Sequence, residues 1–181
     1  MNKLTSSLFA VALFGVAGGV HAAGIALQPG TQNAALGSTL SFDVYVDFTD
    51  IATSGGRFQV TYDSGRLGDA LFAYDSSFAS TYGVATGSTA LNGIGFTGLF
   101  GGAARLGTLS FTATGVGAAA VATAAYANPT YRFRNNTGSS YITVNYGAAS
   151  ANVSAVPVPA AAWLMASGLS ALGLGLGRRQ A

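Results

Sequence analysis

Residues 41–48 alternate almost without exception between apolar and polar side chains, and this alternation constrains the fold more than any other feature of the chain. The apolar side consists of Phe42, Val44, Val46 and Phe48, and the polar side consists of Asp43, Tyr45 and Asp47. Because successive side chains of a β-strand point to opposite faces, the pattern predicts a strand with one face in a core and the other in water.

Similar short segments follow, separated by glycine, asparagine or proline. They cover residues 57–62, 93–100, 106–113, 118–125, 130–134 and 141–146. The alanine-rich segment 118–125 could be helical, but its flanking glycines and the spacing of Val121 and Thr123 favour a strand. We therefore predict one all-β domain, a sandwich or barrel, over residues 23–153. The predicted core is Phe42, Val44, Val46, Phe58, Val60, Tyr62, Leu67, Leu109, Phe111, Ile142 and Val144.

Composition restricts the chemistry of this domain. The chain has no cysteine, and its single histidine, His21, precedes the predicted domain. Thiolate sites, histidine triads and imidazole zinc sites are therefore excluded from the domain. We predict no catalytic, cofactor-binding or metal-binding residues, and no enzyme activity.

Charge argues against a nucleic-acid partner. Residues 23–155 carry five arginines, six aspartates and no lysine or glutamate, a net charge of −1. A domain of this charge offers no basic stripe that could neutralise phosphates.

The first 22 residues have the three parts of a secretory signal. Lys3 supplies a positive start, residues 8–16 are apolar, and small residues follow. Val20 and Ala22 fit the −3 and −1 positions, so we predict cleavage after Ala22, with Ala23 as the second choice. The predicted partners at this end are the export translocon and signal peptidase.

The C-terminal 26 residues combine a proline motif, an apolar segment and a basic end. The motif is Val156, Pro157, Val158 and Pro159; residues 160–177 contain no ionisable group; and Arg178 and Arg179 follow. A helix over residues 160–177 would be about 27 Å long, close to the thickness of a bilayer core. Arginines directly after it favour a cytoplasmic C-terminus, with the domain outside.

This tail resembles the PEP-CTERM sorting domain, in its VPLPA-type variant. Val158 departs from the commoner motif, which has glutamate there. The resemblance implies that an exosortase, a membrane transpeptidase-like enzyme, recognises residues 156–159 and that this chain is its substrate. Removal of the tail would leave no membrane span in the product.

The body resembles a cohesin-like module over roughly residues 24–153. The resemblance rests on GSTLSFDVYV, on GGRFQVTYDSGRL with its Gly55–Phe58 and Tyr62–Asp63 elements, and on RLGTLSFTATG. It implies a jelly-roll β-sandwich, and it does not imply a dockerin partner.

Three further groups of residues are candidate sites. The six aspartates between positions 43 and 75 could supply oxygen ligands to Ca²⁺ or a glycosidase acid–base pair, although their spacing matches no calcium loop. Aromatic residues between positions 72 and 82 could stack on sugars, although packing under a loop is the preferred interpretation; they are Phe72, Tyr74, Phe78 and Tyr82. Arg132 and Arg134 are interpreted as charges protecting an edge strand.

The sequence thus predicts an exported, non-enzymatic protein of the cell surface or extracellular matrix, anchored in the membrane before sorting. Its β-sandwich is expected to be a structural or adhesive module whose ligand is a surface polysaccharide or a protein. The alternatives are a carbohydrate-binding module for exopolysaccharide and, less favoured, a glycosidase.

Overall fold

A computed structural model of the chain describes residues 23–78, 84–87 and 89–156, which form strands, turns and one short 3-10 helix. The first six strands are β1 (Ala23–Gln28), β2 (Thr31–Ala35), β3 (Thr39–Asp47), β4 (Thr53–Tyr62), β5 (Leu67–Tyr74) and β6 (Ala85–Thr86). The remaining strands are β7 (Ala90–Phe100), β8 (Ala103–Ala113), β9 (Gly117–Ala125), β10 (Arg134–Asn135), β11 (Val144–Tyr146) and β12 (Ala148–Ser154). The 3-10 helix, Pro129–Tyr131, lies between β9 and β10.

The strands form two sheets. Sheet A has the order β11-β1-β3-β8-β5, and sheet B has the order β2-β12-β9-β4-β7-β6, with β10 added beside β4. Their inner faces pack against each other, which is the arrangement of a β-sandwich. The predicted all-β sandwich is therefore confirmed for the body of the chain.

The core follows from the predicted alternation. Phe42, Val44 and Val46 on β3 are fully buried, whereas Tyr45 and Asp47 are exposed. Nine of the eleven predicted core residues are buried, and the other two, Tyr62 and Ile142, are partly buried and pack against the core. The prediction omitted several fully buried side chains, among them Leu91, Ile94 and Phe133.

Residues 118–125 are a strand, as preferred, but two other predicted segments differ in the structure. The strand predicted over residues 141–146 is shorter, since β11 begins at Val144, and residues 130–133 do not form a strand. Asn128 accepts a hydrogen bond from the backbone N–H of Thr130 at 3.0 Å, and Pro129 begins a 3-10 turn in place of a strand. The edge-strand interpretation is therefore wrong for Arg132, whereas Arg134 does lie in a strand, the two-residue β10 beside β4.

The last two strands connect the sheets. β11 pairs in parallel with β1 in sheet A, and after Gly147 the chain continues as β12, between β9 and β2 of sheet B. Gly147 donates a hydrogen bond to the carbonyl of Ile25 at 2.8 Å, and its own carbonyl accepts one from the N–H of Thr123 at 2.9 Å. Gly147, where the chain passes between the sheets, is thus hydrogen bonded to β1 of sheet A and to β9 of sheet B.

The two ends of the chain fall largely outside this description. The predicted signal peptide (1–22), most of the proline motif (157–159), the apolar segment (160–177) and Arg178 with Arg179 all lie outside the described residues. Within the described part of the chain, no helix is long and apolar enough to cross a membrane. At the boundaries, Ala23 is buried as the first residue of β1, and Val156 is exposed just after β12.

Candidate functional site

The outer face of sheet B carries short, uncharged side chains across five adjacent strands. Register and burial place fourteen of them on this face: Thr31, Asn33 and Ala35 on β2; Ala148, Ser150 and Asn152 on β12; Ala118, Ala120, Ala122 and Ala124 on β9; Gln59 and Thr61 on β4; and Ala90 and Asn92 on β7. We call this set the sheet B face. It presents methyl groups interleaved with hydroxyl and amide groups.

The register of the strands places short side chains next to one another across the sheet B face. Ala120 lies beside Ser150, which lies beside Thr31, and Ala118 lies beside Asn152 and Asn33 in the same way. The hydroxyls of Thr31 and Ser150 are 3.2 Å apart and hydrogen bonded. Covering such a surface would desolvate no ionised group, which is the costly part of forming a contact.

Arginine and tyrosine border the sheet B face at one end. The guanidinium carbon of Arg57, on β4, lies 4.5 Å from the ring centroid of Tyr131. Tyr131 is 45% exposed, and its ring makes an edge contact with Tyr126 at 6.2 Å. Arg132 donates a hydrogen bond to the carbonyl of Tyr126 at 2.9 Å. Exposed tyrosine and arginine are the residue types enriched where protein partners bind most tightly.

Phe133 holds this border in place. It is 1% exposed, and its ring centroid lies 5.0 Å from that of Phe48 and 5.6 Å from that of Phe96. A Cβ added at Gly56 would lie 2.5 Å from the Cα of Phe133, so glycine there permits the close approach of the two backbones. The sequence did not predict this role: Phe133 lies in the segment 130–134, which was expected to be an edge strand, and it was not included in the predicted core.

A second arginine–tyrosine pair follows Phe133. Arg134 donates hydrogen bonds to the carbonyl of Gly138 and to the hydroxyl of Tyr141, both at 2.9 Å. Its guanidinium also lies 4.5 Å from the ring centroid of Tyr141, which is 52% exposed. The arginines on either side of Phe133 therefore bind within their own loop.

The outer face of sheet A has a different character, because it is charged. Arg105 on β8 contacts Asp75 at 2.8 Å and Asp43 at 3.4 Å, and Thr108 donates to Asp43 at 2.8 Å. The hydrogen bond from Arg105 lowers the pKa of Asp75, and the same bond raises the pKa of Arg105. These groups are solvent-exposed, so the network contributes little to stability.

The aspartates do not form a shared site. Among the described residues, no group of three or more acidic, histidine or cysteine side chains could hold a metal ion. Asp63 binds Arg66 at 2.5 Å within its turn, and Asp47 accepts the N–H of Thr49 at 2.9 Å. A glycosidase acid needs a raised pKa, whereas that of Asp75 is lowered.

The aromatic residues proposed for sugar stacking pack inward. Phe72, Tyr74 and Phe78 are partly buried against the core, and the hydroxyl of Tyr74 accepts the N–H of Gly95 at 3.0 Å. Phe78 contacts Phe96 and Phe100, with centroid distances of 5.3 and 5.5 Å. Packing, the preferred interpretation, is confirmed for these three, and Tyr82 lies outside the described residues.

Comparison with known proteins finds solved structures of similar fold. No family model and no curated protein matches this chain. Among solved structures, a chain of the complex between CaDoc0917 and CaCohA2, a protein of Clostridium acetobutylicum, aligns with a TM-score of 0.54 and 15% identity, covering 73% of this chain and 99% of that one. A chain of a type I cohesin–dockerin complex from Clostridium thermocellum gives 0.53 and 10%, covering 74% and 96%.

A third similar structure is a cohesin module from a family 33 glycoside hydrolase of Clostridium perfringens. It aligns with a TM-score of 0.53 and 8% identity, covering 75% of this chain and 98% of that one. At such low identities the similarity concerns the fold. The body of this chain is therefore a cohesin-like β-sandwich.

Proposed function

We propose that this chain is an exported, non-catalytic module of the cell surface or extracellular matrix that binds a protein partner through the sheet B face. The observation that carries the proposal is the segregation of charge between the two sheets. Asp43, Asp47 and Arg105 lie on the outer face of sheet A, whereas the fourteen residues of the sheet B face are uncharged and Arg57 lies at their border.

A partner surface could cover the sheet B face at little electrostatic cost. The alanines of β9 lie near its middle, where long side chains would hold a partner away, and the polar groups of β2, β4 and β12 offer hydrogen bonds around them. Arg57 and Tyr131 at the border supply larger side chains for anchoring. The similar chain from Clostridium thermocellum comes from a cohesin–dockerin complex, an association of two proteins. That example supports a protein ligand and does not identify it.

A charge placed on the sheet B face tests this proposal. Ala120→Arg puts a long cation in its middle, and Ser110→Arg puts the same side chain on the outer face of sheet A as the control. Each protein is immobilised and exposed to the surface-protein fraction of the native host, after thermal denaturation has shown that both variants fold. We expect a partner retained by the wild type and by Ser110→Arg to be lost with Ala120→Arg. Equal retention by all three proteins would contradict the assignment.

For the tail, we propose exosortase-type sorting of a membrane-anchored precursor. The support is the order of the proline motif, the apolar segment 160–177, and Arg178 with Arg179. We expect intact-mass measurement to find the wild type without its tail, and the Pro157→Ala, Pro159→Ala double variant retaining it in the membrane fraction. A tail retained in both would mean a permanent anchor.

A further inference from the structure

A groove crosses the outer face of sheet A, where β1 lies between β3 and the short β11. Gly24 and Ala26 form its floor, because these outward positions of β1 have little or no side chain. Tyr45 lies beside Ala26 on the β3 side, and Asn145 lies beside Gly24 on the β11 side. The groove has a volume of about 400 Å³, within the range of roughly 300–1,000 Å³ typical of small-molecule sites.

One tyrosine ring borders the apolar floor. Tyr45 is 36% exposed and lies beside Ala26 on the β3 side of the groove. Tyr146 is paired with the buried Ile25, and its side chain packs against the core. The groove thus offers one exposed aromatic ring with its hydroxyl group, which suits a ligand ring with one apolar face.

Two polar side chains at the rim of the groove have donors and acceptors that are free to hydrogen bond with a ligand. The carboxamides of Gln28 and Asn145 are exposed and make no hydrogen bond to any group in the described part of the chain. Each offers both donors and an acceptor, the combination that matches a sugar hydroxyl. Among the described residues lining the groove, Asp47 is the single acid and there is no base, so anionic ligands are disfavoured.

From this geometry we propose that the groove binds neutral hexopyranose residues of a polysaccharide. The ring would lie over Gly24 and Ala26 against Tyr45, with Gln28, Asp47 and Asn145 accepting and donating hydrogen bonds to its hydroxyls. The site lies on the sheet opposite the sheet B face, so a protein and a saccharide could be held simultaneously. It is independent of the protein-binding proposal, and either can fail without the other.

The test is titration of the full-length chain, ¹⁵N-labelled and kept in a zwitterionic detergent without sugar groups. The probes are cellohexaose, laminarihexaose and mannohexaose, with hexagalacturonate as the acidic counterpart. We expect at least one neutral probe to shift the amide signals of Gly24, Ala26 and Asn145, with a dissociation constant on the order of 1 mM or below. We expect hexagalacturonate to bind at least about tenfold more weakly.

Two variants and a control make the test specific. Tyr45→Ala removes the exposed ring and Ala26→Leu fills the floor, and each is expected to weaken binding by about tenfold or more. Leu71→Ala changes an exposed residue of β5 on the same sheet and is expected to leave binding unchanged. Dispersed amide spectra confirm folding of each variant. The proposal is overturned by no response to the neutral probes at about 10 mM, by shifts confined to other residues, by unchanged affinity in both groove variants, or by equally tight binding of hexagalacturonate.

Discussion

Replacing Phe133 with alanine tests how the loop between β9 and β11 is attached to the sandwich. Phe133 is 1% exposed and contacts three other buried phenylalanines, Phe48, Phe58 and Phe96, at centroid distances between 5.0 and 6.5 Å. Loss of a buried phenylalanine typically costs about 3–5 kcal/mol, and each aromatic pair adds about 0.5–1.5 kcal/mol beyond area burial. Because Phe133 sits in a loop that can partly collapse into the cavity, we expect the lower end, about 3 kcal/mol.

The assay is urea unfolding followed by far-UV circular dichroism and tyrosine fluorescence. Tyr131→Ala serves as the matched control, since Tyr131 is 45% exposed in the same loop, and should change the free energy of unfolding by less than about 1 kcal/mol. Phe133→Leu retains most of the volume and should cost less than about 1.5 kcal/mol. A loss below about 1 kcal/mol in Phe133→Ala would refute the conclusion that this side chain anchors the loop.

Three further outcomes follow from named contacts. Gly56→Ala places a methyl group 2.5 Å from the Cα of Phe133 and should destabilise the fold by about 1–3 kcal/mol in thermal or urea denaturation; an unchanged stability would mean that the backbones separate freely. Arg105 lowers the folded-state pKa of Asp75, so its ion pair stabilises the fold above about pH 4 and this contribution is lost as the pH falls through that folded-state pKa. In Arg105→Gln we expect an NMR titration to give Asp75 a pKa closer to its ordinary value, and an unaltered pKa would exclude the proposed cause. For the mature N-terminus we expect sequencing to begin at Ala23, because cleavage one residue later would remove a buried residue paired with Val144; a start at Gly24 would show that this pairing is dispensable.

The sequence predicts the strands better than it predicts their arrangement. The alternation of residues 41–48 identifies both faces of β3 because every second side chain enters the core. The same pattern cannot say which strands share a sheet, so the separation of a charged outer face from an uncharged one emerges only from the pairing of distant segments. β2 illustrates the difficulty: its small, polar residues give no periodic signal, and its single strand partner, β12, lies over a hundred residues away.

The candidate sites were harder to predict for a related reason. Tyr74 and Phe78 are recognisable in the sequence as aromatic residues, but their packing depends on β7, a later strand. The groove on sheet A depends on Gly24 and Ala26, whose contribution is the absence of bulk between larger neighbours. Glycine and alanine leave space for a ligand, but they carry no functional group that would mark them as site residues in the sequence.

The sheet crossing at Gly147 has a consequence for the order in which an exported chain can complete its fold. A chain leaving a translocon from its N-terminus would present β1 without β11 and β2 without β12 until residues 144–154 emerge. Pairing over so long a separation is slow, and unpaired strand edges favour aggregation during the delay. Both sheets are therefore complete only when the segment just before the proposed sorting motif has emerged. Since only Ala155 separates Ser154 from Val156, an enzyme acting on that motif would have to work almost against the surface of the newly closed sandwich.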